Sequence, residues 1–267
     1  VTGWISFTTD YGSSDGFVAA CHGVIAGIAP DARVLDVTHQ IPAGNVRRGA
    51  VVLSQTLPYL PPSVHVAVVD PGVGTTRRAV AVDTAHGVLV GPDNGLLVWA
   101  AEAVGGARSA VVLDNSDWHL RRVRRTFHGR DIFAPVAAHL VAGRPLAEAG
   151  TPLDPAELVE LPAPVLRTGR GFVEVEVLTV DTFGNVQLAA GAELAAELHG
   201  DGTLLVTMTA GATGIPVRLG ETFGAVEPGE LVAYLDSADQ LTLAVNRGNA
   251  SERLALGPGD LIRLSPS

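Results

Sequence analysis

The 267-residue chain is expected to fold as an α/β N-terminal domain with a largely parallel sheet, followed by a smaller C-terminal all-β barrel domain. Three observations carry this expectation. Apolar strand-like runs alternate with helix-period segments through the first half. The run Val64 to Val69 is aliphatic apart from His65, as in a strand covered on both faces. Beyond residue 171 the apolar period becomes two, with short strands separated by Gly-rich turns. Between the two textures, Pro152, Pro155, Pro162 and Pro164 interrupt regular structure. The domains therefore divide as 1–150, a Pro-rich linker over 151–170, and 171–267.

Taken in order, residues 4–9 form a buried strand that ends in Asp10-Tyr11-Gly12. Ser13, Ser14 and Asp15 offer N-caps for a helix from Gly16 to Ala29, apolar on most faces and so expected to be packed on both sides. Pro30-Asp31 stops it before a strand at Val34–Val37. A helix over Asn45–Leu57 ends at Pro58, and the strand Val64–Val69 delivers Asp70 at its C-terminal end. A hairpin follows (79–83 and 88–90 around Ala85-His86-Gly87), then a helix over 96–104, a strand over 110–113 and a helix over 131–142. In the second half, 172–180 places Val173, Val175 and Val177 on one face and Glu174 and Glu176 on the other. Further strands are expected at 203–208, 215–219, 231–235, 241–245 and 261–264.

Composition removes whole classes of chemistry. All 18 basic residues are arginine, so Schiff-base catalysis, a pyridoxal phosphate anchor and a Walker-type loop are excluded. The single Cys21 can neither close an internal disulfide nor build a Cys-rich zinc site. With 28 acidic residues and a net charge of −10, phosphate-led nucleic-acid binding is disfavoured, and a cationic small-molecule partner is left open. No apolar run reaches the roughly 18 residues of a membrane span, and cytoplasmic residence is expected. The eight histidines show no H-E-x-x-H or paired ligand spacing, so no metal is expected.

Several segments carry candidate chemistry, each beside a plainer reading. Asp70, followed by Pro71-Gly72-Val73-Gly74-Thr75-Thr76-Arg77, stands where open α/β sheets gather ligands, and equally suits a turn before Pro-Gly. Asp10 can grip a ribose diol or close an Asx-turn. Gly12-Ser13-Ser14-Asp15-Gly16 matches the G-x-S-x-G elbow, with Ser14 as nucleophile, and also matches capping sequence. His128, in Thr126–Asp131, can carry a proton near neutral pH. The knot Arg121-Arg122 with Arg124-Arg125 suits a solvated turn better than nucleic acid. Asp181–Asn185 and Asn246–Ala250 give the barrel two loops rich in hydrogen-bonding groups.

The segments TTDYGSSDGF (8–17), VVDPGVGTTRR (68–78), GPDNGLL (91–97), FHGRD (127–131), DTFGNV (181–186) and NRGNAS (246–251), in this order, resemble the S-adenosyl-L-methionine hydrolase family. Its relatives attack the same substrate with fluoride or chloride. The resemblance implies hydrolysis to adenosine and L-methionine by water at the ribose 5′ carbon. It also implies a homotrimer whose active sites lie between the N-domain of one subunit and the C-domain of its neighbour. Carried over by motif, the catalytic set resembles Asp70, Arg77 and His128, the hydrolase pattern that the halogenating relatives lack. Asp10 corresponds to the ribose-diol carboxylate, with Asp15, Gly16 and Phe17 as neighbouring contacts. Asp181 and Asn185 resemble the residues that hold the methionine amino-acid group, with Phe183 packing beside the ligand. Ser237, Arg247, Asn249 and Ala250 fall where the family binds the methionine carboxylate and the adenine edge. Ala238 departs from the arginine of the halogenases. Competing expectations are a binding module without turnover, a halogenase, and an esterase using Ser14.

Overall fold

A computed structural model describes residues 3–197, 202–207 and 214–266. The chain divides into two compact units between Leu161 and Pro162. The first contains β1 (Trp4–Thr9), α1 (Phe17–Ile28), β2 (Arg33–Thr38), α2 (Val46–Thr56), β3 (Ser63–Val68), β4 (Ala79–Thr84), β5 (Gly87–Pro92), α3 (Leu96–Ala103), β6 (Ala107–Val112), α4 (Ala134–Val141) and β7 (Thr151–Leu153). Its sheet runs β2-β1-β3-β5-β4-β6-β7. The first four strands are parallel and the last three add antiparallel.

Alternation along the strands builds the three layers. Val64, Val66 and Val68 of β3 join Ile5, Phe7, Cys21, Ile25 and Val136 in one core, beneath α1 and α4. Ala67 and Val69 face the other way, into a core with Ala50 and Leu53 of α2 and Leu96 and Ala100 of α3. The chain leaves β1 toward β2 on one side and returns to β3 on the other. The C-terminal ends of β1 and β3 therefore flank a topological switch point, the crevice where such sheets bind ligands.

His65 of β3 is fully buried in this sheet. Its Nε2 faces the His86 carbonyl at 3.2 Å and its Nδ1 faces Ser6 Oγ at 2.8 Å, so Nε2 donates and Nδ1 accepts. Burial pulls its pKa down from 6.5 to about 4. Between those values the unfolded chain binds a proton that the native state refuses, so stability falls as pH drops through that window. The loss totals roughly 3 kcal/mol. Urea midpoints measured from pH 7 to pH 4 are expected to fall accordingly, and His65→Gln to flatten the dependence. An unaltered slope in that variant contradicts the assignment.

The second unit contains β8 (Leu166–Gly169), β9 (Phe172–Val180), β10 (Val186–Gly191), α5 (Ala192–Glu197), β11 (Thr203–Thr207), β12 (Ile215–Leu219), β13 (Leu231–Leu235), β14 (Gln240–Val245), α6 (Ala250–Leu254) and β15 (Leu261–Pro266). The order β10-β14-β13-β12-β11-β15-β9 closes through β9–β10 pairing into a seven-stranded barrel, with β8 added on β9. Val173, Val175 and Val177 point into its core, as period two requires.

Four expectations are corrected. The stretch expected as a linker carries β7, paired with β6, and β8, paired with β9; Pro152 is tolerated in β7 because that strand is short and lies at the sheet edge, and β8 begins only after Pro164. Helix α1 is not packed on both sides within its unit: Cys21 and Ile25 are buried, whereas Phe17, Ala19, Gly23, Ala26 and Gly27 are exposed. It begins after Gly16, and no side chain caps it. The helix expected from Asp131 opens with a π-helical turn over 129–133 before α4. Met208, the last residue of the expected strand 203–208, and His199 lie outside the described residues. Among the described residues, no helix is long and apolar enough to cross a membrane.

Candidate active site

The first unit brings Asp70, Arg77 and His128 together from three separate segments. Asp70 follows β3, and Arg77 closes the Gly-rich loop that leads into β4. Arg77 Nε and Nη2 donate to Asp70 Oδ1 and Oδ2 at 3.1 and 2.5 Å, a bidentate pair with both side chains nearly buried (5% and 8% exposed). Nη1 donates to the Arg78 carbonyl at 3.0 Å, and the guanidinium lies over the Phe133 ring, 5.5 Å from its centroid. Nη2 also stands 3.0 Å from His128 Nδ1. A guanidinium only donates, so Nδ1 accepts and the neutral imidazole carries its proton on Nε2. Burial first, and the Arg77 charge second, hold the His128 pKa below its usual value of 6.5. The imidazole is therefore neutral at pH 7.

The segment carrying His128 is fixed by Asp131, which is fully buried. Its Oδ1 accepts from Arg130 Nε at 2.6 Å and its Oδ2 from the Arg124 amide at 2.7 Å. These bonds lay the arginine knot over the Gly-rich loop, where Arg125 Nη2 donates to the Gly74 carbonyl at 3.4 Å. Gly74 has φ +76°, and a Cβ there would overlap the Arg125 carbonyl oxygen. Gly74→Ala is thus expected to cost roughly 2–3 kcal/mol in urea unfolding and to lower kcat more than it raises KM. Wild-type stability and kcat in that variant would show that the loop does not depend on this contact.

Asp10 follows β1 at the switch point, half-buried, and its Oδ2 accepts the Gly44 amide at 2.8 Å. Tyr11, missed from sequence, packs edge-on against Phe17 and Phe127. Its hydroxyl occupies the space that a side chain at position 129 would need, which accounts for Gly129 beside His128. Burial raises the Tyr11 pKa well above 10, so it stays a hydroxyl. Asp15, Gly16 and Phe17 lie exposed at the start of α1. Ser14 is also exposed, and among the described residues it makes no hydrogen bond to a histidine, so the elbow lacks a base. The Cys21 thiol is buried and pushed up to about 12, chiefly by that burial, which leaves it unreactive.

The second unit holds the remaining candidates other than Ser237 in two loops packed on each other. Asp181 Oδ1 accepts the amides of Phe183 and Asn185, both at 2.9 Å, and Oδ2 accepts Asn185 Nδ2 at 2.7 Å. Much of its carboxylate is thus spent shaping its own turn. Gly184 (φ +83°) leaves room for the Asn249 side chain, and its carbonyl accepts the Ser251 amide at 2.9 Å. Asn249 caps α6 by accepting the Glu252 amide at 2.9 Å, and Ala250 is buried behind it. Phe183 (77% exposed), Asn185, Arg247, Phe223, Val245, Asn246 and Gly248 line a cleft of about 560 Å³. Sequence reading missed Phe223, whose only signal was an exposed aromatic in a turn. Ser237 sits exposed on the turn between β13 and β14. Its neighbour Asp236 is bonded to the Ala238 and Gln240 amides, Gln187 and Thr242, an anchor that the sequence did not reveal.

Two family models cover most of the chain. Residues 5–150 match the SAM hydroxide adenosyltransferase N-terminal domain and residues 175–263 match its C-terminal domain. The chain belongs to the SAM hydroxide adenosyltransferase family. Within the family it is 56% identical to an (R)-S-adenosyl-L-methionine hydrolase of Salinispora tropica, over 99% of this chain and 98% of that protein. A fluorinase of Actinopolyspora mzabensis is 28% identical over 98% of this chain and 97% of its own. The crystal structure of an uncharacterized conserved protein from Thermotoga maritima superposes with a TM-score of 0.90 at 36% identity, covering 98% of this chain and 99% of that one. In this chain the N-terminal family domain carries the Asp70–Arg77–His128 cluster and the C-terminal one carries the aromatic cleft.

Proposed function

We propose that this enzyme hydrolyses S-adenosyl-L-methionine to adenosine and L-methionine. The observation that carries the reading is the Asp70–Arg77–His128 cluster beside the switch point, in a chain that matches a named hydrolase from end to end. Water attacks the ribose 5′ carbon opposite sulfur. A C–O bond forms, the C–S bond breaks with its electron pair going to sulfur, and methionine leaves as a neutral thioether. The leaving group needs no proton, so catalysis consists of aligning the water and removing its proton. Arg77 occupies about two of the four lone-pair sites of Asp70, and the others can accept from water. His128, with its proton on Nε2, donates toward the water oxygen and aligns it. A neutral imidazole also adds no positive charge beside the sulfonium.

Asp10 binds the ribose diol, with Asp15, Gly16 and Phe17 beside it. The cleft of Phe183, Asn185 and Arg247 takes the adenine and methionine portions, with Asp181, Ser237, Asn249 and Ala250 shaping or bordering it. The reaction is cytoplasmic, needs no cofactor, and runs in a homotrimer that pairs the α/β unit of one subunit with the barrel of its neighbour. The division of the candidate residues between two units and the exposed apolar face of α1 support that assembly. Incubation with S-adenosyl-L-methionine, followed by chromatography, tests the reading. Adenosine and methionine are expected in equal amounts, with no 5′-halogenated nucleoside in chloride or fluoride. Intact substrate would reduce the protein to a binding module, and a halogenated product would place it with the halogenases.

A further inference from the structure

Sequence spacing gave no metal site, yet the fold places His22 of α1, Asp36 of β2 and His39 side by side. Asp36 Oδ1 lies 2.9 Å from His22 Nε2 and 3.0 Å from His39 Nε2, and the three donor atoms all lie within 4.8 Å of one another. Donors bound at about 2.0–2.1 Å to a tetrahedral ion stand roughly 3.3 Å apart, so only small side-chain shifts separate this arrangement from coordination. We infer that His22, Asp36 and His39 form a binding site for a borderline divalent cation of the zinc class.

The bonding around His39 favours a cation over a simple ion pair. Its Nε2 is buried and has no properly angled hydrogen-bond partner among the described residues. Its Nδ1 is 2.8 Å from Thr9 Oγ1, which already accepts the Tyr11 amide at 3.1 Å. If the Thr9 hydroxyl donates to Nδ1, the proton on Nε2 has no aligned acceptor. If Nδ1 donates to Thr9, the Nε2 lone pair faces a carboxylate oxygen. A cation at this point satisfies the second arrangement, with Thr9 as the outer partner that fixes the tautomer. The Phe7 ring lies beneath both imidazoles, at 5.9 Å from His22 and 5.2 Å from His39, and gives the site an apolar floor. Two imidazoles and one carboxylate suit zinc, cobalt or nickel rather than magnesium or calcium. His22 and Asp36 are 34% and 41% exposed, which leaves the ion an entry path and room for water.

The site also adjoins the substrate loop. The His39 carbonyl accepts the Gly12 amide at 2.7 Å, two residues from Asp10, and Gln40 Nε2 donates to Ser13 Oγ at 3.0 Å. A bound ion therefore ties α1 to the segment that supports the Asp10 loop.

The test is titration of untagged, metal-stripped protein with Co²⁺, followed by visible absorption, with Zn²⁺ as competitor. One equivalent of Co²⁺ per chain is expected, displaced by Zn²⁺, with a rise in thermal midpoint on loading. His22→Ala and Asp36→Asn, both at partly exposed positions, are each expected to weaken binding at least about tenfold and to abolish the thermal shift. Binding that does not saturate at one equivalent, or that is unchanged in His22→Ala, overturns the site. Neither readout depends on hydrolase activity.

Discussion

Asp70→Asn is expected to lower kcat for adenosine formation about 10²- to 10⁴-fold, the range over which a positioned proton acceptor contributes. Substrate affinity, measured by calorimetry, is expected to change little. The ribose and adenine contacts proposed above are assigned to Asp10 and to the barrel cleft, not to the Asp70 carboxylate. Asparagine keeps the shape of aspartate, and its carbonyl still accepts one N–H of Arg77, so the loop retains its course. The variant loses the charge and the second acceptor. It is expected to unfold at a lower temperature because Arg77, 8% exposed, keeps its charge without a counter-ion. Circular dichroism at the assay temperature separates that loss from the chemistry. A folded Asp70→Asn protein with kcat within tenfold of wild type would remove Asp70 from the reaction.

The architecture was legible because its signals are local and periodic. The aliphatic run of β3, buried along its whole length, and the alternation of Val173, Val175 and Val177 each follow from one repeat distance. The placement of Asp10 and Asp70 followed as well, since a residue just after a parallel strand lies at the ligand edge of the sheet. What stayed hidden depends on long-range contact. Helix α1 is apolar nearly all round, yet one face lies open within its own unit; composition cannot say which face the chain itself covers. The π-helical turn at 129–133 arises where Asp131 must reach both Arg130 and the Arg124 amide, a demand absent from helix propensity. That Asp181 also holds its own turn, through three accepted bonds, was not legible from its residue type. His22 stands 14 residues from Asp36, on another element, so no ligand spacing joined them.

Arg77→Lys is expected to lower kcat about 10²-fold, the loss that accompanies misplacement of reacting groups by about 1 Å. Arg77 makes four directed bonds from one plane: to both oxygens of Asp70, to His128 Nδ1 and to the Arg78 carbonyl. A lysine ammonium keeps the charge and offers three donors from a single atom, so it cannot span the carboxylate and the imidazole together. Freed from Arg77, His128 can place its proton on either nitrogen, and the Nε2 donor toward water is no longer guaranteed. The acid limb of the pH–rate profile is then expected to move up, because the guanidinium charge that helps hold the imidazole neutral has lost its fixed position. The combined variant Asp70→Asn with Arg77→Lys decides how these residues act. If Arg77 works through Asp70 and His128, the double variant turns over no more than a few-fold slower than Asp70→Asn alone, since groups that act as a unit are lost together. If the two losses multiply, Arg77 acts on the transition state by a separate route. Its charge would then be a direct electrostatic participant beside the departing sulfur, rather than the clamp that its four bonds describe.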